Sequence, residues 1–386
     1  MDVVVAGVGL VPFGRHPALT GLDMGVSAAR LALRDAGMSW DDLDFAVGGT
    51  VGPALQQGGA TADTMVGRVG LTGIPFVNIM NGCATGGSAL ALARDAILSG
   101  SHDIALVVGF DKHPRGAFDP DPELMGIGRW YGETGMMLTT QFFGMKIAQY
   151  LHTHGLDASI LARCAAKNYR NGALNPSAWR RKPLTEAQIE ASPMLNAPLT
   201  QYMLCSPAEG AAAVVLCRGD LASRYTDTPV YLRAVSFRTR RFGGFEVMSP
   251  WLPLDDAPAP TVAAAQDCFD AAGLGPADVD VVQLQDTDAG SELIHLAECG
   301  FCADGEQEKL IATGATEIGG TVPVNTDGGL LANGEPVGAS GLRQVHEIVQ
   351  QLRGRAGDRQ VPGDPRVGFT QVYGTPGVSA CAVLSR

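Results

Sequence analysis

The stretch "NIMNGCATGGSALALARDAILSG", residues 78–100, sets one cysteine, Cys83, ahead of three helical turns of almost wholly small or apolar residues. From Ala84 to Leu98 only Arg94 and Asp95 are charged, so the predicted helix has no polar face before its last turns. A helix that is apolar all round is a buried one. Asn81 or Gly82 can cap it, which puts Cys83 where free N–H groups and the positive end of the helix dipole favour a thiolate and lower its pKa. Gly82, Gly86 and Gly87 permit the close backbone approach that an acyl group on sulfur and its oxyanion donors require. The same pattern also suits a small thiol that only fills core space, and both readings stand at this point.

A buried helix needs layers around it, and an internal repeat supplies them. "RDAGMSWDDLDFAV" (34–47) matches "DAAGLGPADVDVVQ" (270–283), each reading as a helix end, a Gly stop, a short turn and an apolar strand. The Gly-rich helix start at 82–100 recurs as "EPVGASGLRQVHEIVQQLRG" (335–354), and the strand "EGAAAVVLCR" (209–218) recurs as "PGVSACAVLSR" (376–386). Three matches in one order indicate a duplicated α/β fold. Continuous apolar strands such as "DIALVVGF" (103–110) alternate with helices, which predicts sheets covered on both faces. The first half is read as residues 1–110 plus 201–219, and the second as 228–386. Residues 111–200, rich in Pro, Gly, Met and aromatics, fit neither copy and are read as an inserted loop and substrate region over the first half.

Composition excludes several classes of function. With 386 residues, 46% of them hydrophobic, the chain can bury a large core and form two domain-sized units. A net charge of -12 and a pI near 5.0 argue against nucleic acid or an anionic membrane as partner. The eight cysteines are scattered, and Cys299 and Cys302 in "ECGFC" lack a second pair or a His at zinc-ribbon distance. Reduced, mostly core thiols and no metal are expected. No apolar run reaches the ~20 residues of a membrane span, and "MDVVVAGVGLVPFG" lacks the features of a signal peptide, so a cytoplasmic protein is expected.

The segment around Cys83 resembles the nucleophile loop of thiolases, whose cysteine carries an acyl group. "KNYRNGALNPSAWRR" (167–181), "PLTQYMLCSPAEGAAAVVL" (198–216) and "NTDGGLLANGEPVGASGLRQVHEIVQQLRGRAGDRQVP" (325–362) are similar to thiolases of the sterol-carrier-protein type. The resemblance covers essentially the whole chain. It implies the thiolase fold, two duplicated βαβαβαββ halves in a five-layered αβαβα architecture, with central helices that begin at a shared centre.

Two motif positions depart from that family. Its Gly-His-Pro, whose His deprotonates the cysteine, is here Gly334-Glu335-Pro336; its His-Asp-Cys-Phe is here Gln285-Asp286-Thr287-Asp288. None of the seven histidines lies in a matching motif: His295 and His346 fall in predicted helices, His152 and His154 in the insertion. Glu335 can serve as base if burial raises its pKa towards neutrality, or it merely caps the following helix. Gln285 can donate an N–H to a thioester oxygen, or only satisfy backbone. Asp286 and Asp288 suit loop backbone, and Thr287 keeps a hydroxyl. "YGTPGVSA" (373–380) corresponds to the family's C-terminal loop, so Gly377 N–H is expected to join Cys83 N–H as an oxyanion donor; Cys381 lies inside the strand. Thr287, Asp288, Trp130, Tyr131, Met136, Met137, Phe142 and Phe143 are candidates for the pocket wall.

The resemblance implies an enzyme that breaks or makes a carbon–carbon bond beside an acyl-CoA thioester, by thiolysis of a β-ketoacyl-CoA through acyl-Cys83, with coenzyme A as co-substrate. Relatives that have replaced the motif histidines are retro-aldolases of β-hydroxyacyl-CoA side chains, including steroid ones. A non-catalytic acyl-CoA or lipid carrier, or a scaffold subunit, is the third expectation. The family resemblance further implies a homodimer and a small zinc-ribbon and OB-fold partner protein.

Overall fold

The computed structural model describes residues 1–51, 60–114, 116–117, 121–123, 126–135, 139–244, 246, 257–375 and 377–386. Strand β1 (Val3–Gly14) is followed by α1 (Gly21–Asp35), β2 (Phe45–Gly49), α2 (Val66–Val69), β3 (Phe76–Ile79), α3 (Thr85–Leu98) and β4 (Ile104–Lys112). Next come α4 (Trp130–Glu133), α5 (Thr139–His154), α6 (Ser159–Leu174), α7 (Glu186–Glu190), the small hairpin β5 (Met194–Asn196) and β6 (Leu199–Thr200), then β7 (Glu209–Arg218) and β8 (Val230–Thr239). The chain ends with α8 (Pro260–Ala272), β9 (Val281–Gln283), α9 (Ala289–Glu298), α10 (Gln307–Ala312), α11 (Gly329–Asn333), α12 (Ser340–Leu352), β10 (Val367–Gly374) and β11 (Val378–Ser385).

The main sheet runs β3-β2-β4-β7-β1-β8-β11-β10-β9, and its order is a mirrored repeat. In the first half β2 pairs in parallel with β3 and β4, while β4, β7 and β1 pair antiparallel. In the second, β9 pairs in parallel with β10, while β10, β11 and β8 pair antiparallel. The counterpart of β3 is reduced to a parallel bridge, Val282 to Val324. The halves join where β1 meets β8, through Val4 with Tyr231 and Val5 with Val230. The expected duplication is therefore present.

Alternation along each strand builds the layers. Val3, Val5 and Val8 of β1 and Ala212, Val214 and Leu216 of β7 face inward onto Leu90, Ala93 and Ile97 of α3 and Leu342, Val345 and Ile348 of α12. The intervening Val4, Ala6, Ala213 and Val215 face Met24, Ala28 and Ala32 of α1. In the second half Ala382 and Leu384 face inward, and Cys381 and Val383 face Ala264, Cys268 and Phe269 of α8. The result is five layers, with α3 and α12 in the middle. Both faces of β2, β4, β7, β10 and β11 are buried, at roughly 1.5–3 kcal/mol per large apolar side chain, which is why these strands read as unbroken apolar runs. The two central helices touch through glycine: a Cβ on Gly86 would lie 3.0 Å from Leu342 N, and one on Gly341 3.1 Å from Gly87 N.

The insertion packs differently from expectation. Phe142 and Ile147 of α5 and Leu161 and Tyr169 of α6 share a core with Leu293 of α9 and Leu331 of α11, so this region lies on elements of the second half. Its apolar face was complementary to helices far away in sequence, which local pattern does not reveal. All eight cysteines are free thiols, and six are buried. Among the described residues no helix is long and apolar enough to cross a membrane.

Candidate active site

Cys83 occupies a turn just ahead of α3, where Gly82 adopts φ 55° and a Cβ would strike Thr375 O at 2.3 Å. The expected cap from Asn81 or Gly82 is not how the helix begins. Ala84 is the N-cap and offers no side chain; Thr85 Oγ1 instead donates to Gly82 O (2.6 Å) and accepts from Asn81 N (2.8 Å). Nor is the Cys83 pKa lowered. Burial, then the nearby carboxylates of Glu335 and Asp111, push it well above that of an ordinary thiol, and its own backbone N–H opposes them only in part. Desolvation and like charge outweigh the dipole of α3. Cys83 rests as a thiol.

Its partner is Glu335. Gly334 ends α11 at φ 80°, and Glu335 leaves the turn with its N–H on Ser206 O (2.9 Å) and its carbonyl accepting from Ala208 N (3.3 Å). The buried carboxylate accepts from Gln285 Nε2 at Oε1 (2.7 Å) and from Cys205 Sγ at Oε2 (3.3 Å), and it faces the Cys83 side chain closely enough for the two to interact electrostatically. Burial raises its pKa above the ordinary range, and these donors hold it down in part. The geometry thus brings Cys83, Glu335 and Gln285 together.

The rest of the Glu335 loop is held by the end of β4. Asp111 accepts from Val51 N (2.8 Å) and Gly338 N, and His113 Nε2 accepts from Val337 N at 3.2 Å. Burial drives the Asp111 pKa up to about 7. Sequence reasoning missed Asp111, His113 and Cys205; the available signal was a charged run, "DKH", closing an otherwise apolar strand, and a cysteine inside a family-like segment.

Gln285 is placed by its N–H on Gln371 Oε1 (3.1 Å). Its Nε2 is directed at Glu335 and, at 3.4 Å, at Thr287 Oγ1, so the donor expected for a thioester oxygen is turned to the base. Its Oε1 is buried and has no partner among the described residues. Asp286 accepts from Leu330 N (2.6 Å) and Leu331 N (3.2 Å) and so fixes α11. Asp288, a candidate for the pocket wall, is committed elsewhere: it accepts from Gly290 N (2.7 Å) and Ser291 N (3.0 Å) as the cap of α9. Thr287 O accepts from Cys205 N at 2.8 Å.

The C-terminal loop does lie against the Cys83 turn, since a Cβ on Gly374 would sit 2.6 Å from Cys83 N. Gly377 N–H, however, donates to Gly374 O at 2.8 Å and is used within its own turn, so it is not the expected oxyanion donor. Tyr131, Phe142 and Phe143 are buried side chains, the two phenylalanines belonging to the core shared with α9, whereas Trp130 is exposed. Met136 and Met137 lie outside the described residues. His295 pairs with Glu298 at 2.8 Å, and the half-buried His346 has a pKa lowered by desolvation to about 4.

Comparison with known proteins bears on this site. The family described as "Thiolase, N-terminal domain" matches residues 3–182, and "Thiolase C-terminal domain-like" matches 255–386. The chain is 34% identical to the acetyl-CoA acetyltransferase of Methanothermobacter thermautotrophicus, over 100% of both chains. It is 31% identical to sterol carrier protein 2 of Oryctolagus cuniculus, covering 94% of this chain and 68% of that one. Among solved structures the "Ltp2-ChsH2(DUF35) aldolase" superposes with a TM-score of 0.86 at 23% identity, over 100% of this chain and 97% of that chain.

Proposed function

The chain belongs to the thiolase family, and on that premise we propose that it is an enzyme that cleaves or forms a carbon–carbon bond beside an acyl-CoA thioester, through acyl-Cys83 with Glu335 as acid and base. The observation that carries this reading is the buried Glu335 carboxylate set against the Cys83 side chain, close enough that each shifts the titration of the other. Glu335 takes the S–H proton as sulfur attacks the keto carbon of a β-ketoacyl-CoA. The bond between that carbon and the α-carbon then breaks, leaving the shortened acyl group on sulfur; its electron pair forms the enolate of the departing CoA thioester, and Glu335 returns its proton to the α-carbon. Coenzyme A thiol next gives a proton to Glu335 and takes the acyl group, and Cys83 recovers the proton. Cys83 N–H, beside its own sulfur, suits the oxyanion. Coenzyme A is here a co-substrate.

A second reading, retro-aldol cleavage of a β-hydroxyacyl-CoA, is favoured by the buried Gln285 Oε1, to which a β-hydroxyl would supply the missing donor. The solved aldolase of like fold keeps it in view. Incubation with β-ketoacyl-CoA and intact-mass analysis separate the readings. We expect an acyl adduct on Cys83, none in Cys83→Ser, and adduct formation slowed by about 100-fold or more in Glu335→Gln. Cleavage of β-hydroxyacyl-CoA that survives Cys83→Ser would assign the aldolase reaction; binding without turnover of either substrate would assign a carrier. The assay is run with and without a zinc-ribbon and OB-fold partner, because the solved aldolase of like fold pairs Ltp2 with ChsH2(DUF35). A homodimer is proposed across β3, the outermost strand, where Val77 and Asn78 are exposed.

A further inference from the structure

Glu335 carries a second thiol that the scheme above leaves without a task. Cys205 is 3% exposed, and its Sγ donates to Oε2 at 3.3 Å, while Gln285 occupies Oε1. The segment bearing it is fastened on both sides. Cys205 N donates to Thr287 O (2.8 Å), Glu335 N to Ser206 O (2.9 Å), and Arg180 holds Ser206 Oγ and, at 2.9 Å, Leu331 O. Such anchoring leaves the sulfhydryl little freedom to turn away from the carboxylate.

We infer that Cys205 is a positioning residue for proton transfer, its S–H holding the Glu335 carboxylate in the ionised form that accepts the Cys83 proton. The inference rests on Glu335 being the base. A buried carboxylate without donors stays protonated, and one fully saturated with strong donors is too weak a base; a thiol is a weak donor and leaves it between these limits. When Cys83 becomes acylated, its proton resides on Glu335 and its S–H contact is lost, which favours the carboxylic acid until the α-carbon takes the proton. Cys205 keeps its own proton throughout, so no bond at this sulfur is made or broken.

The test reads Cys83 directly and needs no substrate. The rate of iodoacetamide alkylation of Cys83, resolved by peptide mass, is followed from pH 4.5 to 9 in the full chain. Protonation of Glu335 slows the reaction on the acid side. Removing the donor with Cys205→Ala raises the Glu335 pKa, so this limb moves up by about one pH unit, or about tenfold in rate at a fixed pH below it. Cys205→Ser, with a hydroxyl in place of the thiol, brings the limb back towards wild type. Should Cys205→Ala fail to fold, Cys205→Val removes the same donor. A limb unmoved in the alanine or valine variant, or moved there but not restored by serine, overturns the inference. In Glu335→Gln the plateau above this limb disappears and the rate falls about tenfold per pH unit across the range, as for an unassisted thiol; a plateau and limb that persist there would refute the base independently of Cys205.

Discussion

At Asp111 two backbone N–H groups, from Val51 and Gly338, meet a carboxyl group whose pKa burial raises from 3.8 to about 7. Between those values the folded protein keeps a proton that the unfolded chain has released. Its contribution to stability is therefore present at low pH and is lost as pH rises towards 7 and above. Complete titration amounts to something on the order of 4 kcal/mol. Asp111→Asn carries no titrating group, so its urea midpoint should vary less than that of wild type between pH 4 and 7.5. Equal pH dependence in the two proteins would count against the raised value. The same desolvation explains why Cys83 is a thiol. A helix N-terminus was visible in "NGCATGG", but the carboxylates facing it come from β4 and from the turn after α11, and no local pattern announces them.

Elements were more legible than contacts. The all-apolar run predicted a buried helix from Ala84 to Leu98, and α3 spans Thr85–Leu98 in the central layer. The matches at 34–47 and 270–283 gave the duplicated helix-turn-strand, because a Gly stop and an apolar strand are local features. The short α11, the packing of α5 and α6 on α9, and the capping duty of Asp288 depend on tertiary neighbours and were not readable. Glycines in α3 offer a test of the layer spacing. Ala in place of Gly within a helix is worth up to about 1 kcal/mol from propensity alone. At Gly87 the new Cβ would lie 2.5 Å from Ala380 Cβ of β11, and overpacking of this kind costs about 1–3 kcal/mol. Gly87→Ala should be net destabilising, by about 1–2 kcal/mol in urea denaturation; a stabilised variant would mean that β11 can yield.

Across the whole molecule, the seam between halves is narrow in the sheet and thick elsewhere. β1 meets β8 through Val4 and Val5, just where a bulge shifts its register with β7 between Val5 and Gly7. Arg353, following α12 of the second half, fills that defect: Nη2 donates to Val5 O (2.8 Å) and Ala6 O (3.1 Å), and Nη1 to Asp35 at 3.0 Å. Its side chain is almost wholly buried. Arg353→Ala leaves those acceptors without their donor and should cost about 2–4 kcal/mol, with unfolding still a single transition. A loss below about 0.5 kcal/mol would show that water replaces the guanidinium.

The mirrored sheet has a consequence at its centre. Asn81-Gly82-Cys83 and Asn333-Gly334-Glu335 present one tripeptide frame twice, each glycine with positive φ, and each third residue reaching the other. A fold copied about an axis sets equivalent corners face to face, and once both copies reside in one chain each corner can be furnished independently. Here one holds sulfur and its twin holds oxygen, so an asymmetric chemical couple occupies a symmetric frame.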